Sequence, residues 1–212
     1  MNEQPISTIQ QPIQTIDEAI VELNRLWRPV RPYLAQQVEE LYGCRDGDIL
    51  EAGPFSGLIF ELARRGIGTS HHMAVFPREI VAALIEEARE QGLEGRIDIV
   101  ESDDALCGVP PGTFDLIVFR GAFFFPTFFT PDLTAIHRSL KTGGIALLGG
   151  GFGRRTPQHV IQAIEKRSKD LNRAVGRVRI TEGDLRATLE DSGLKEKATM
   201  ITDGGLWVVL RK

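Results

Sequence analysis

The sequence has few of the residues that build disulfide frameworks, zinc sites or membrane spans. It contains two cysteines, Cys44 and Cys107, far apart in the chain, and four histidines that show no ligand spacing with them. This pattern excludes a disulfide framework and a zinc site. Apolar runs are also short, because the densest one, residues 122–129, is interrupted by Pro126 and falls well below the ~20 residues that span a bilayer. We therefore expect no metal and no membrane partner.

Positive charge is scarcer than negative charge. The net charge is −4, which argues against a dedicated nucleic-acid binder. The stretch from Lys166 to Arg179 is locally basic, and we interpret it as a solvated helix face. The N-terminal residues lack a basic start followed by an apolar core, which is the pattern of an export signal. These features predict a cytoplasmic protein.

The length of 212 residues suits a single domain with one core. Residues 1–14 contain glutamine and proline without periodicity, so we expect a flexible arm. Thr15 and Glu18 then form a predicted capping box, which opens a helical segment over residues 15–44. This segment is either a lid over a site or a flap that covers the sheet. Residues 45–212 are predicted to form an α/β core, so that residues 15–212 make one domain.

Strand and helix patterns alternate along that core. The predicted strands are residues 49–50, 69–75, 96–100, 114–119, 145–148, 196–201 and 206–210. Helical patterns separate the first five, which favours a parallel sheet with helices on both faces. The last two strands flank the turn at residues 202–205 and predict a terminal hairpin.

The stretch GDILEAGPFSG, residues 47–57, reads as strand, loop and helix start. Gly53 and Gly57 bracket the loop, and glycines at such a turn let the backbone adopt positive φ and approach a ligand closely. The helix that follows offers free N–H groups to the same ligand. A binding site is therefore predicted at this loop.

Five motifs in order resemble the class I S-adenosylmethionine-dependent methyltransferases over about residues 45–212. EAGPFSG resembles the first motif of that family, SDD at residues 102–104 its third-strand acid, and FDLIVFRGA its fourth-strand motif. IHRSLKTGGIALL is similar to its Leu-Lys-Pro-Gly-Gly signature, with Thr142 in place of proline, and the final hairpin resembles its last two strands. The resemblance implies a Rossmann-like seven-stranded sheet, mostly parallel with an antiparallel C-terminal hairpin strand and helices on both faces. A nicotinamide-binding Rossmann domain fits less well, because the loop is G-x-x-x-G rather than G-x-G-x-x-G.

The resemblance also implies S-adenosylmethionine as cofactor. Glu51 and the backbone of the glycine loop would contact its methionine part, and Asp103 with Asp104 would receive the adenine amino group. The cofactor-binding positions expected on this basis are Glu51, Gly53, Phe55, Gly57, Ala74, Asp103, Asp104 and Arg120.

Two of these positions depart from the family pattern. Phe55 stands where the family has its middle glycine, and Ala74 stands where it has the acid that binds both ribose hydroxyls. Loss of a charge-assisted contact costs on the order of 2–3 kcal/mol of affinity. His71, His72 and Glu79 are the nearby candidates to replace the acid, although adjacent histidines in a strand more often point to opposite faces.

The segment after the fourth predicted strand suggests an acceptor pocket. It is rich in phenylalanine and lacks the Asn/Asp-Pro-Pro-aromatic motif of enzymes that methylate amide or nucleobase nitrogen. Two arginines follow a glycine-rich stretch at residues 149–153, and with Arg120 opposite they predict an anion site. The expected substrate-binding residues are Phe123, Phe124, Arg154 and Arg155.

We therefore predict methyl transfer from S-adenosylmethionine to a small, anionic molecule. Two alternatives stay open: a non-catalytic protein of this fold that binds a nucleoside or metabolite, and a protein in which another nucleotide fills the cofactor site. The sequence assigns no catalytic residue and no oligomeric state.

Overall fold

The computed structural model describes residues 15–212, in which seven α-helices surround one sheet. The predicted arm, residues 1–14, lies outside the described residues. The helices are α1 (Ile16–Leu26), α2 (Arg31–Tyr42), α3 (Leu58–Arg64), α4 (Val81–Glu90), α5 (Leu133–Ser139), α6 (Gln158–Ala174) and α7 (Glu182–Asp191). The strands are β1 (Asp48–Ala52), β2 (Ser70–Val75), β3 (Asp98–Glu101), β4 (Phe114–Arg120), β5 (Leu140–Gly150), β6 (Ala198–Ile201) and β7 (Leu206–Arg211).

The sheet has seven strands in the order β3-β2-β1-β4-β5-β7-β6. The first five strands pair in parallel, whereas β7 is antiparallel to both β5 and β6. The predicted fold class is confirmed. Strand order reverses between β1 and β4, and in open sheets of this kind ligands bind beyond the carboxyl ends of the strands at that point.

The central strands are apolar because both of their faces are covered. Residues 49–52 of β1 and 116–120 of β4 are all buried, and the run LIVF in β4 has the continuous hydrophobic character of such strands. At the opposite, amino-terminal edge, Lys141 donates to Asp48 and Asp115 at 2.6 Å each. The acid of the FDLIVFRGA motif therefore ties three strands together at the edge remote from the predicted site.

Several predicted boundaries shift in the structure. β5 is much longer than the predicted 145–148, because it begins at Leu140 and pairs with β4 across a register shift. The sequence pair Thr130-Pro131 predicts a cap for helix α5, but the helix is capped by the Asp132 side chain, which accepts from Ala135 N–H. The capping box of Thr15 and Glu18 is confirmed, since both of its hydrogen bonds are present.

The two N-terminal helices are fastened to the rest of the domain by polar contacts. Arg31 of α2 is buried, forms an ion pair with Glu87 of α4, and donates to the carbonyl oxygens of Asn24 and Ser56 at 2.7 and 3.2 Å. Removing one partner of such a buried pair typically costs about 3–5 kcal/mol. These contacts join the helical segment to α4 and to the loop after β1.

No helix among the described residues, 15–212, is long and apolar enough to cross a membrane. The same residues contain no group of three or more histidine, cysteine, aspartate or glutamate side chains arranged to hold a metal ion.

Candidate functional site

Glu51 ends the apolar run of β1 and is 1% exposed. Its carboxylate accepts hydrogen bonds from the backbone N–H groups of Gly57, Leu58 and Ile59, at 2.8, 3.1 and 3.0 Å. These are free donors at the start of α3, so Glu51 caps that helix. Burial raises the pKa of Glu51, while the N–H donors and Arg120 act in the opposite direction. Both carboxylate oxygens of Glu51, the acid of the first motif, thus accept hydrogen bonds from the protein itself.

Gly53 and Gly57 both have positive φ, at 97° and 108°. A Cβ at Gly53 would collide with the ring of Phe119, and one at Gly57 would collide with the guanidinium of Arg31. The close approach that these glycines permit is therefore taken by two side chains of the protein itself, where the resemblance predicted a ligand.

Five phenylalanines meet above the carboxyl ends of β1, β2 and β4, and we call them the phenylalanine cluster: Phe55, Phe76, Phe119, Phe125 and Phe129. All five are buried, and none is more than 8% exposed. The centroid distances are 4.4 Å for Phe55–Phe125, 5.4 Å for Phe76–Phe129 and 5.5 Å for Phe119–Phe129. Such spacings are typical of packed aromatic pairs. The cluster is contiguous from the glycine loop to the residue that follows β2.

Ala74, Asp103 and Asp104, the other residues that were predicted to contact the nucleoside, make hydrogen bonds within the protein. Ala74 is fully buried in β2, and its carbonyl oxygen accepts from Gly53 N–H at 2.9 Å. Asp103 accepts from Cys107 N–H at 2.8 Å, and this bond lowers the pKa of Asp103. Asp104 accepts from the N–H of Thr130 at 2.9 Å. Both aspartates thereby shape the loops around the end of β3.

The three candidates to replace the ribose acid lie at different places: His71 and His72 are in the body of β2, and Glu79 follows its carboxyl end. His71 is buried and its Nε2 lies 2.8 Å from the Ile67 carbonyl oxygen, whereas the half-exposed His72 lies near Asp98. The prediction of one buried and one more exposed side chain is confirmed. His71 and His72 pair with residues in the body of β1, away from the strand ends, and Glu79 is exposed in the turn after β2.

A cavity of about 350 Å³ lies beside the phenylalanine cluster, and we call it the aromatic cavity. It is enclosed by α1, α6, the residues that follow β4, and the facing ends of β5 and β7. Its aromatic wall consists of Trp27, Phe55, Phe124, Phe125 and Phe152. Its volume is at the low end of the ~300–1,000 Å³ that is typical of small-molecule sites. Like those sites, the aromatic cavity has a mostly apolar lining.

Arg120 is the buried charge of this cavity. It is 6% exposed, and its guanidinium carbon lies 5.0 Å from the centre of the Trp27 ring. Burial lowers the pKa of Arg120 to about 10, although Glu51 acts in the opposite direction, so the side chain stays charged at neutral pH. Among residues 15–212, five buried side-chain polar atoms lack a hydrogen-bond partner, and Arg120 Nη1 is the one that belongs to a cavity-lining residue. A buried charge in this state is expected to be costly.

Polar groups of α6 and the chain beyond it complete the cavity. Ser168 and Asn172 line it, and Ser168 Oγ accepts from Trp27 Nε1 at 2.9 Å, which fixes the indole. Exposed Arg177 lies over the Phe124 ring at 4.9 Å. Lys169 and Arg177 come from the basic stretch that was interpreted as a solvated face, and both are exposed, as that interpretation predicts, while they also line the cavity. Periodicity gave no signal for this, because their neighbours in space come from β4 and α1.

The predicted substrate residues divide between the cavity and other places. Phe124 lines the cavity, whereas Phe123 is buried outside the lining. Arg154 and Arg155 both pair with Glu40 of α2, so the structure does not bring them to Arg120. The glycine-rich end of β5 serves close chain packing, because a Cβ at Gly151 would collide with the backbone of the turn before β7.

Comparison with known proteins identifies the fold. No protein-family model matches the chain, and no curated protein sequence matches it. Among solved structures, a protein from Methanococcus maripaludis, provisionally assigned as an S-adenosyl-L-methionine-dependent methyltransferase, is 23% identical and has a TM-score of 0.75, with 100% of this chain and 97% of that chain covered. A SAM-dependent methyltransferase from Aquifex aeolicus is 16% identical with a TM-score of 0.62, covering 92% and 98%. PigF, solved with SAH, is 18% identical with a TM-score of 0.60, covering 92% and 57%. These likenesses establish the shared fold and confirm the resemblance at that level.

The cofactor implied by this fold does not fit the expected contacts as they stand. The resemblance places its adenosyl group between the glycine loop, the end of β2 and the Asp103–Asp104 turn, a space that we call the nucleoside slot. Phe55, Phe76 and Phe119 are buried beside this space, and the oxygens of Glu51 are already bound to backbone.

Proposed function

We propose that this chain is an S-adenosylmethionine-dependent methyltransferase whose acceptor is a small organic anion held in the aromatic cavity. The observation that carries the proposal is Arg120, a buried cation with an unpartnered Nη1 in the lining of an apolar cavity. A carboxylate that reaches this guanidinium would gain charge-assisted hydrogen bonds and would relieve the cost of the buried charge. The methyltransferase fold and the position of the cavity next to the glycine loop support the reaction class.

The apolar walls define the body of the ligand. The rings of Trp27 and Phe152 are stacked at 4.8 Å and nearly parallel, so they form one aromatic unit in the wall of the cavity. A planar aromatic acid would place its ring against the aromatic wall and its carboxylate at Arg120. Polar groups near Asn172 and Arg177 would then meet a second substituent of the ligand.

Within this function, the residues of the chain bind, orient and exclude water. Arg120 sets the position of the carboxylate, and the aromatic wall keeps water from the body of the ligand. Asn24 of α1 is buried and donates to the Pro54 carbonyl oxygen at 2.9 Å, which joins the cavity wall to the glycine loop. The loop and the cavity are thus parts of one packed unit.

The test measures anion binding and methyl transfer in parallel. Benzoate, 4-hydroxybenzoate and the neutral analogue benzamide are titrated by calorimetry into the wild type, Arg120→Met and the matched control Arg173→Met. The last variant removes an exposed cation of α6 that does not line the cavity. We expect the carboxylates to bind wild type and the control, and to lose roughly 10- to 100-fold in affinity with Arg120→Met, the value of a hydrogen bond to a charged group.

Methyl transfer is followed with S-adenosylmethionine labelled in its methyl group and 4-hydroxybenzoate as acceptor. Label in the acceptor with wild type, but not with Arg120→Met, supports the proposal. Equal binding of benzamide and benzoate, or full binding by Arg120→Met, would refute the assignment of the cavity to an anion.

A second candidate function is a binding protein without turnover, and the phenylalanine cluster favours it. Anion binding without any affinity for S-adenosylhomocysteine, in wild type and in variants that shorten the cluster, would select this function.

A further inference from the structure

The phenylalanine cluster joins the two regions that a methyltransferase of this fold has to use together. Phe55 and Phe125 line the aromatic cavity, and the same two rings pack on each other at 4.4 Å within the cluster. Phe55 also lies against the backbone of Gly121, where a Cβ would collide with its ring. These two rings are therefore the partition between the aromatic cavity and the nucleoside slot.

Behind this partition, the cluster continues to the end of β2. Phe119 lies on Gly53 and contacts Phe129 at a centroid distance of 5.5 Å, and Phe76 contacts both rings edge-on at 6.0 and 5.4 Å. Phe119 is fully buried. No polar group has to be broken to move these rings, because they are held by apolar packing alone.

We propose that the phenylalanine cluster is a plug in the nucleoside slot, and that an adenosyl compound binds only after Phe55 and Phe119 leave it. The inference rests on the proposed function in taking S-adenosylmethionine as the donor. It goes further by assigning the barrier to two side chains, one from the glycine loop and one from the end of β4.

The two residues have separate parts in the plug. Phe55 occupies the position where the resembling family has a glycine, so its ring adds bulk at the place where the backbone would approach the ligand. Phe119 packs on Gly53, where the missing side chain of glycine leaves room for the ring. Shortening either side chain would remove part of the obstruction without touching a hydrogen bond.

The expected size of the effect follows from the population of the open state. When the competent state is a minor one, the apparent dissociation constant rises by the inverse of its fraction. Exposing even one buried phenylalanine is costly enough to make the open state rare. We therefore expect a shortened side chain to tighten binding of an adenosyl compound by about 10-fold or more.

The experiment measures S-adenosylhomocysteine binding by calorimetry to wild type, Phe55→Gly and Phe119→Leu. Phe119→Leu keeps an apolar side chain, so it guards against loss of folding in the glycine variant. The matched control is Phe114→Ala, which removes a buried ring from the other end of the same strand, where it contacts His72. Thermal unfolding of each variant shows that it is folded at the temperature of the titration.

Tighter binding by about 10-fold or more in Phe55→Gly or Phe119→Leu, with no gain in Phe114→Ala, supports the plug. Wild type that binds as tightly as both variants would overturn it, and so would the absence of binding in every variant. Benzoate is titrated into the same samples, so that failure of the anion site is seen separately. If benzoate and S-adenosylhomocysteine each bind with the same affinity to wild type and to all variants, the plug is rejected and the proposed function is retained.

Discussion

Replacing Arg120 by methionine should stabilise the ligand-free protein while it removes the anion site. Burial lowers the pKa of Arg120 to about 10 in the folded state, well below its ordinary value. This depression corresponds to roughly 3 kcal/mol of cost for keeping the charge buried. Methionine retains most of the apolar stem and contact with Trp27.

Part of this gain is offset, because Glu51 loses a nearby positive charge. Glu51 keeps its three backbone N–H donors, so its carboxylate stays hydrogen-bonded. We expect a net gain on the order of 1–2 kcal/mol, which for a chain of this size corresponds to a rise of about 2–8 °C in the midpoint of unfolding.

The dependence of this gain on pH has a definite sign. Arg120 has a lower pKa in the folded state than in the unfolded state, so the cost is fully present below pH 10. The cost is relieved as the pH rises above 10 towards the ordinary pKa of arginine, and the advantage of Arg120→Met should shrink there. Denaturant unfolding at pH 7 and 10.5 measures both values, with the exposed Arg173 of α6 replaced by methionine as the control.

The result that would refute this reasoning is a loss of 2 kcal/mol or more at pH 7 in Arg120→Met. Such a loss would make Arg120 a structural partner of Glu51, comparable with the members of other buried ion pairs. The observation that carries the proposed function would then have a purely structural explanation.

Two other substitutions test the packing and the titration of the core. Gly53→Ala should destabilise more than Gly66→Ala by about 2 kcal/mol or more in urea unfolding, because both have positive φ but only the first would collide with a ring; equal losses would contradict the close packing at Gly53. Burial lowers the pKa of His71, so below about pH 6.5 the unfolded state takes up its proton first and stability falls as the pH falls. His71→Gln should therefore lose less stability between pH 7 and 5 than wild type, and parallel curves would show that His71 does not titrate differently on folding.

The local patterns of the sequence were sufficient for the architecture. Alternating strand and helix segments, the capping box at Thr15 and the turn at residues 202–205 predicted a mostly parallel sheet with a terminal hairpin, and the structure has that topology. These features depend on neighbours within a few residues, so they can be predicted from a single sequence. The same reasoning missed the cap at Asp132, because several residues in that segment have the chemistry of a cap.

Only the tertiary structure decided what occupies the site. The sequence marked Phe55 as unusual, but nothing local indicates that its ring would meet Phe125, or that Phe119 would lie on Gly53. The sequence also predicted one anion site formed by Arg120, Arg154 and Arg155, whereas Arg154 and Arg155 form ion pairs with Glu40 of α2. The order of strands and helices follows from short-range propensity and the period of the hydrophobic residues. The filling of a cavity depends on side chains that the fold brings together from α1, β4, β5 and α6. The spacing of these residues along the chain does not encode their contacts.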